Sequence, residues 1–249
     1  MDKGLYEAIF KRKSFHLFRD CGEERITQEE LRQIEEDFNT FTPLDSSIKV
    51  KIKITDETSN CKRGQEYCIW FYSEIKDCYL ENIGYLGEQL DLYLVKRNIG
   101  TLWFGIGKVK EKVLDGLNFV IMMAIRKIDS SDKFRKDMYK SKRKEIDEVW
   151  QGDSLLEVAQ IVRFAPSACN SQPWVVYDEE KTLKIYRESK RRGIMPKNLI
   201  SYYNQIDMGI FMCFMDLCLE HNNISYKKEV FKEKEVEKDR FLDAIYYLS

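Results

Sequence analysis

Residues 79–105 have the sequence YLENIGYLGEQLDLYLVKRNIGTLWFG, which predicts a long helix followed by a loop. Gly100 stands shortly after the predicted helix, which we expect over residues 80–97. Apolar side chains recur on one face of that helix at the spacing of helical turns: Ile83, Leu86, Leu90 and Leu94. This face is expected to pack into the core of the first half of the chain.

A second long helix, predicted over residues 199–220, repeats features of the first. Aligning NNIS at 222–225 with RNIG at 97–100 pairs Asn223 with Asn98, an offset of 223 − 98 = 125 residues. The same offset matches four further pairs: Gly84 with Gly209, Asp91 with Asp216, Leu92 with Leu217, and Leu94 with Leu219. The pattern predicts a diverged internal duplication. The alternative is that apolar periodicity alone makes two core helices alike.

Shorter elements surround the first long helix. Thr27 and Glu30 form a capping-box pattern at the start of a helix. Alternating apolar and lysine residues over 48–54 predict a half-exposed strand, and EYCIWFYSE from Glu66 predicts a more buried one. The uninterrupted apolar run FVIMMAI at 119–125 predicts a central strand.

The second half has a similar order of elements. Asp153 or Ser154 is the expected N-cap of a helix that Pro166 cannot continue, and PWVVYDEEKTLKIYRE from Pro173 predicts a hairpin. A nearly continuous charged run over 133–148 separates the halves, so we place the boundary near Trp150. The predicted fold class is α+β, with a central mixed or antiparallel sheet flanked by helices and two fused halves, 1–150 and 151–249.

Composition restricts the possible functions. The chain has 41 Lys and Arg against 42 Asp and Glu, so it has no overall attraction for nucleic acid or an anionic membrane. Seven cysteines form no CxxC pair and there are only two histidines, which argues against a zinc site and for reduced thiols. Neither a signal peptide nor a membrane-spanning stretch is evident in the sequence. We therefore expect a cytoplasmic protein.

The decapeptide APSACNSQPW at 165–174 lies between a predicted helix and a predicted strand. It resembles the APSSGNSQPW-type loop of the nitroreductase family. Short polar side chains and turn amides suit the polar edge of an isoalloxazine ring. The resemblance implies a bound flavin mononucleotide (FMN), with Pro166, Ser167, Ala168 and Asn170 as cofactor-binding residues. The alternative is a plain turn from helix to strand.

Near the N-terminus, the segment RKSFHLF at 12–18 is similar to the family's RRSxRxF signature. In the family this signature clasps the phosphate and ribityl chain of the flavin. The resemblance assigns that role here to Arg12, Lys13, Ser14 and His16. Arginine offers a planar donor fork to phosphate, lysine a point charge and serine a hydroxyl. His16 stands where the family usually has a second arginine.

Two further segments resemble the family. Residues 79–105 are similar to its DxGxAxQNLLLAAxxLGLGTCWxGG helix and loop, which assigns contacts near the flavin N5 to Trp103, Phe104 and Gly105. KSKRKEIDEVW at 140–150 is similar to its basic segment before an LEEV-like helix. That likeness makes Lys142 and Arg143 candidate phosphate ligands. Aromatic core packing and a solvated charge run are the respective alternatives.

The order of the motifs along the chain differs from that of the family. The loop position of the first half holds FTPLD at 41–45, and the well-matched loop lies in the second half. In family dimers one subunit's basic signature and the other's loop hold each flavin. The sequence therefore resembles a dimer fused into one chain, a monomer with one complete flavin site. Further dimerisation of such chains is left open.

The family resemblance implies an intracellular FMN-dependent oxidoreductase. Electrons would pass from NAD(P)H through flavin N5 to a small acceptor such as a nitroaromatic or a quinone. No catalytic acid or base is assigned, and Cys169 has no histidine near it in sequence to make it a nucleophile. The alternatives are a protein that stores or senses FMN without turnover, and an interaction protein without a cofactor.

Overall fold

A computed structural model describes residues 4–57, 59–188 and 195–249 of the chain. The α-helices of these residues are α1 (Gly4–Lys11), α2 (Gln28–Phe38), α3 (Tyr79–Lys96), α4 (Ile146–Val149), α5 (Leu156–Val162) and α6 (Ile200–His221). The strands are β1 (Val50–Thr55), β2 (Tyr67–Ser73), β3 (Ile99–Phe104), β4 (Val113–Leu114), β5 (Leu117–Lys127), β6 (Trp150–Gln151), β7 (Trp174–Glu179), β8 (Thr182–Glu188), β9 (Tyr226–Glu237) and β10 (Arg240–Leu248).

The first sheet has the strand order β1-β2-β5-β3, with β4 paired to β5, and every pairing is antiparallel. Strand β5 lies between β2 and β3, and its middle residues Met122 to Ile125 are fully buried. The apolar run at 119–125 was therefore correctly predicted as a central strand. The edge strand β1 is only partly buried, as its alternation of lysine and apolar residues indicates.

The second sheet has the order β6-β7-β8-β10-β9. Strand β6 runs parallel to β7, and the remaining pairs are antiparallel. The predicted hairpin from Pro173 is confirmed as β7 and β8. The structure thus contains two sheets, where the sequence predicted a central one, and the mixed α+β class is confirmed.

The two sheets share one topology. Without the two-residue strands β4 and β6, each sheet has two antiparallel strands before a long helix and two more strands after it. The strands stand in the order first, second, fourth, third: β1-β2-β5-β3 in one sheet and β7-β8-β10-β9 in the other. This agreement supports the duplication, which stays a proposal about the origin of the two halves.

The chain divides into two compact units. One contains Leu80–Tyr85 and Tyr139–Ser249, and the other contains the chain up to Tyr79 together with Leu86–Met138. Helix α3 thus contributes residues to both units, with 80–85 in the first and the rest in the second. The unit boundary falls at Tyr139, before the boundary near Trp150 that the charged run suggested.

Three local predictions differ from the structure. The N-cap of α5 is Leu155, so the prediction of Asp153 or Ser154 was wrong. The Ser154 hydroxyl instead donates to Asp178 Oδ1 at 2.5 Å, which ties it to strand β7. The segment after α3 is a strand, β3, and the hairpin β9–β10 was not predicted. None of the described helices combines the length and apolar character needed to cross a membrane.

Candidate functional site

The basic signature runs beside the first sheet. Arg12 N–H donates to Ala8 O at 2.8 Å, which extends the bonding of α1 by one residue. Ser14 then forms a parallel bridge with Thr101, and Phe15 N–H donates to Thr101 O at 2.9 Å. The signature is thereby fixed against β3, whose last residue is Phe104. Two segments selected from the sequence, 12–16 and 103–105, are brought together in this way.

Arg12 is turned into the protein. Its side chain is only 4% exposed, and Nη2 lies 2.8 Å from Asp91 Oδ2. The Nε–H group donates to the same oxygen at 2.9 Å, and Nε lies 3.6 Å from Glu88 Oε1. The guanidinium that the sequence assigned to phosphate is thus already neutralised inside the unit. Its role as a phosphate ligand stays a prediction.

Asp91 connects helix α3 to both segments of the site. It accepts hydrogen bonds from Arg12, from Thr101 Oγ1 at 2.5 Å and from Trp103 Nε1 at 3.1 Å. Thr101 and Trp103 stand two residues apart on β3, so both side chains face the helix. Asp91 has no exposed surface. In the sequence, Asp91 stood out only as one position of the internal repeat. A carboxylate within an otherwise apolar helix pattern is nevertheless a signal for a buried residue that joins the helix to a neighbouring element.

Burial and neighbouring charge set the protonation of this cluster. Burial works against the charge of Arg12, but the charge of Asp91 and its hydrogen bond with Arg12 outweigh burial and raise the arginine pKa. Burial raises the pKa of Glu88 well above its usual value, and the charge of Asp91 raises it further. Neither Glu88 oxygen has a hydrogen-bond partner among the described residues. We therefore assign a neutral Glu88 next to an Arg12–Asp91 ion pair.

The predicted N5-contacting residues lie at the end of β3. Trp103 stacks on Phe71 with ring centroids 5.8 Å apart. Gly87 of α3 leaves room for this ring, since a Cβ there would overlap it. Phe104 is buried, whereas Gly105 is half-buried. The position of Trp103 is thus set by its contacts with β2 and α3.

Beside the buried cluster lie three cations that have no ion-pair partner among the described residues. They are Lys13, Lys133 and Arg135. Phe134 packs edge-on against Phe15 with centroids 5.4 Å apart, and Arg135 N–H donates to Lys11 O at 2.9 Å. These contacts place the segment around Phe134 against the basic signature. Lys133 and Arg135 were not selected from the sequence, where they belonged to an undifferentiated charged run.

The pKa values of Lys13 and Arg135 lie below the usual values of these groups. Burial lowers the pKa of Lys13, and the charges of Lys133 and Arg135 lower it further. Burial lowers the pKa of Arg135 to about 10, with an added contribution from the charge of Arg12. Lys13 Nζ lies 4.7 Å from the centre of the Phe15 ring, whereas His16 is exposed. A bound anion would relieve the repulsion within this group.

The loop at 166–172 belongs to the other unit and contains a 3-10 turn, Ala168–Asn170. Three of its residues have positive φ: Cys169 at 52°, Asn170 at 55° and Gln172 at 47°. Most of its amides are paired, because those of Ala168, Asn170, Ser171 and Gln172 donate to Asp207, Ser167 O, Ala168 O and Ser167 Oγ. The amides of Ser167 and Cys169 have no partner among the described residues.

The basic segment at 142–144 holds this loop. Arg143 Nη1 donates to Asn170 Oδ1 at 3.1 Å and Nη2 to Phe164 O at 3.2 Å. Asn170 Nδ2 donates to Lys142 O at 3.3 Å, and Lys144 N–H donates to Gln172 Oε1 at 2.9 Å. The structure thus brings together Lys142, Arg143 and Asn170, which the sequence assigned separately. Arg143 supports the loop, and its direct role toward phosphate stays a prediction.

A family model described as "Putative TM nitroreductase" matches residues 4–218. A crystal structure titled as a putative nitroreductase from Thermotoga maritima is 18% identical, with a TM-score of 0.64, over 98% of this chain and 93% of that chain. A nitroreductase family protein from Clostridium novyi NT is 20% identical, with a TM-score of 0.36, over 61% of this chain and 97% of that chain. No curated protein sequence matches the chain.

The Thermotoga structure shares the fold, and its low identity supports no statement about function. The family model carries more weight, because its match spans the basic signature, the α3–β3 segment and the loop at 166–172. The chain therefore belongs to this nitroreductase family of oxidoreductases.

Proposed function

We propose that the chain binds FMN and transfers electrons from NAD(P)H to a small acceptor such as a nitroaromatic or a quinone. The observation that carries the proposal is the cationic group of Lys13, Lys133 and Arg135, which has no ion-pair partner among the described residues and lies next to the half-buried Ser14. Arg12 and Asp91 neutralise each other, so the local charge of this group is positive in a chain whose net charge is −1. Such a group suits a phosphate monoester.

Each unit, taken by itself, contains residues that suit part of the cofactor. Lys13, Ser14 and Arg135 would hold the phosphate by charge and hydrogen bonding. In the loop, the amides of Ser167 and Cys169 have no partner among the described residues and are donors of the kind that a flavin ring edge accepts. When bound, FMN supplies the two-electron chemistry that links a nicotinamide donor to the acceptor. The chain contributes binding and orientation, and Trp103 provides a fixed aromatic wall.

The phosphate assignment is tested by titrating apo-protein with FMN and following flavin fluorescence. We expect Lys13→Ala and Arg135→Ala each to weaken binding roughly tenfold or more, because a hydrogen bond to a charged group contributes about 1.5–3 kcal/mol. Lys136→Ala is the matched control, since Lys136 is an exposed neighbour whose ammonium lies 3.3 Å from Asp132. If all three variants bind FMN equally well, the cationic group is not the phosphate site.

Electron transfer is tested by mixing the FMN-loaded protein anaerobically with NADH or NADPH. Bleaching of the flavin band, followed by recovery when a nitroaromatic or quinone is added, is the expected result. Stable FMN binding without bleaching by either nucleotide would contradict turnover and favour storage or sensing of FMN. A wild-type chain that binds no FMN would contradict the proposal as a whole.

A further inference from the structure

Asp207 lies beneath the loop at 166–172, inside the unit that contains both. It belongs to the second turn of α6 and is 2% exposed. Its Oδ1 accepts a hydrogen bond from Ala168 N–H at 2.8 Å, and its Oδ2 accepts one from Ser171 Oγ at 3.1 Å. Ala168 is the first residue of the 3-10 turn, and Ser167, the residue before it, makes no side-chain cap. Asp207 therefore supplies from another helix the acceptor that an N-cap side chain normally provides.

The turn that Asp207 holds has an unfavourable backbone. Cys169 and Asn170 are consecutive residues with φ of 52° and 55°, a conformation that costs free energy in residues other than glycine. Such a conformation persists only where the surroundings impose it. Arg143 and Lys144 bond the turn through Asn170 and Gln172, and Asp207 bonds it at Ala168 and Ser171. Loss of either set of bonds would let the turn relax.

No cation compensates the Asp207 carboxylate among the described residues. The charged groups on elements packed against α6 are engaged elsewhere: Arg163 after α5 bonds Lys144 O, and Arg187 of β8 pairs with Asp243. Other titratable groups near this site are Cys169 of the turn, Tyr203 of α6 and the buried Glu81 of α3, the helix that meets α6 at Gly209. Burial raises the pKa of Asp207 to about 7, and its hydrogen bonds from Ala168 and Ser171 oppose that rise. The carboxyl thus changes charge in the neutral pH range.

The Ser171 hydroxyl can form a hydrogen bond with Asp207 whether the Asp207 carboxyl group is ionised or protonated. Its Oγ lies 3.1 Å from Asp207 Oδ2 and 3.4 Å from Asn204 Oδ1. With Asp207 ionised, the hydroxyl donates to the carboxylate. When Asp207 is protonated, the same hydroxyl can accept a hydrogen bond from the carboxylic acid O–H group and donate one to Asn204 Oδ1. The bond from Ala168 then loses its charge assistance, which weakens the hold on the turn.

We propose that Asp207 is a positioning residue for the flavin: its carboxylate holds the turn at Ala168 and Ser171, and protonation of that carboxylate loosens the turn and weakens FMN binding. The proposal rests on the proposed function, because the ligand is FMN. It adds Asp207, which the sequence did not single out, to the residues that determine FMN binding. It also predicts that FMN affinity falls as pH is lowered.

The first test is FMN titration from pH 5.5 to 8.5. For the wild type we expect affinity to fall roughly five- to tenfold on the acid side of a midpoint near pH 7, the difference between a charged and a neutral hydrogen bond. Asp207→Asn should bind at the weak acid-side level at every pH. Ser171→Ala should move the midpoint to higher pH, because the serine bond lowers the carboxyl pKa. Cys169→Ser should keep the pH step.

A wild-type step that persists in Asp207→Asn, or that disappears in Cys169→Ser, would overturn the proposal. So would a Ser171→Ala midpoint that stays in place or falls. If the wild type binds no FMN at any pH, the proposed function itself fails, an outcome that needs no variant. The two failures are therefore distinguishable.

The second test uses apo-protein and urea unfolding, so it needs no flavin. An acid whose pKa is raised by folding makes its full contribution to stability below the unfolded pKa and loses it as pH rises toward the folded one. The folding equilibrium constant of the wild type relative to Asp207→Asn should therefore fall by up to about tenfold per pH unit between about pH 4 and 7. A ratio independent of pH would show that Asp207 does not titrate there and would overturn the proposal.

Discussion

Gly84 and Gly209 make reciprocal contacts between α3 and α6. A Cβ at Gly84 would overlap the carbonyl oxygen of Ile206, and a Cβ at Gly209 would overlap that of Glu81. The two residues whose carbonyl oxygens are approached, Glu81 and Ile206, are separated by the same offset as the two glycines, since 206 − 81 = 125 and 209 − 84 = 125. Each helix thus presents an equivalent surface to the other, as expected for a two-fold pair. This supports the proposal that the halves arose by duplication.

We expect Gly84→Ala and Gly209→Ala to destabilise the protein by a similar amount, roughly 1–3 kcal/mol or more, because backbone at a close helix contact cannot move aside as a side chain can. Helix propensity alone predicts the opposite sign, a gain of about 1 kcal/mol for each replacement of glycine by alanine. Urea unfolding decides between these predictions. A stabilised variant at either position would show that the helices do not meet there.

A second equivalence joins Asp91 to Asp216. Asp91 accepts hydrogen bonds from positions ten and twelve residues later, Thr101 and Trp103. Asp216 bonds the second of these relative positions, with Lys228 Nζ 2.6 Å from Oδ2. Each buried aspartate therefore fastens its long helix to the following strand. The shared anchor explains why this pair stood out in the repeat.

Arg12→Met should destabilise the protein by roughly 3–5 kcal/mol, because it leaves the buried Asp91 without its cation. Adding Asp91→Asn should recover part of that loss. Unfolding free energies of the two single variants and the double variant provide the measurement. A cost below about 1 kcal/mol for Arg12→Met would contradict the ion pair. Any loss of FMN binding in Arg12 variants must be corrected for this structural effect.

Glu88→Gln tests the neutral state of Glu88. Because the folded pKa of Glu88 is raised, the wild type is most stable relative to the variant below about pH 4.5 and loses stability as pH rises. We expect the difference to change by at most about 1.4 kcal/mol per pH unit while Glu88 keeps its proton. Urea unfolding of both proteins between pH 4 and 8 measures it. A constant difference would mean that folding does not raise this pKa.

Much of the fold follows from local sequence patterns. The capping box of Thr27 and Glu30 is present as predicted, and the expected long helix at 80–97 is α3, Tyr79–Lys96. Strand β9 was missed because lysine and glutamate dominate YKKEVFKEKEVE, so no apolar alternation marks it. Strand β3 was missed because its residues follow directly on a helix and were assigned to a loop.

The candidate site was less predictable, because its charges are assigned by tertiary contacts. Arg12 and Lys13 are adjacent cations in sequence, yet one pairs with Asp91 and the other has no ion pair among the described residues. Arg135 acquires its place only through the contact of Phe134 with Phe15. Asp207 acts on a loop 39 residues away in sequence. No local pattern contains these pairings.

The last prediction concerns stoichiometry: we expect one FMN per chain. The two halves share a topology, but their loops differ. In the first half Phe41 packs edge-on against Phe38 and Tyr93, with centroids 5.8 Å and 5.6 Å away, and Thr42 O accepts a hydrogen bond from Gln89. That loop is therefore occupied by core packing. In the second half the Ser167 and Cys169 amides are unpaired among the described residues.

The measurement is the ratio of flavin absorbance to protein in saturated samples freed of excess FMN, with the molar mass from light scattering. Phe41→Ser should leave the ratio at one, because removing a packed ring lowers stability without creating the turn that Asp207 and Arg143 hold in the second half. Two FMN per wild-type chain would show that the first loop also binds flavin. One FMN per two chains would contradict the assignment of a flavin site to every chain.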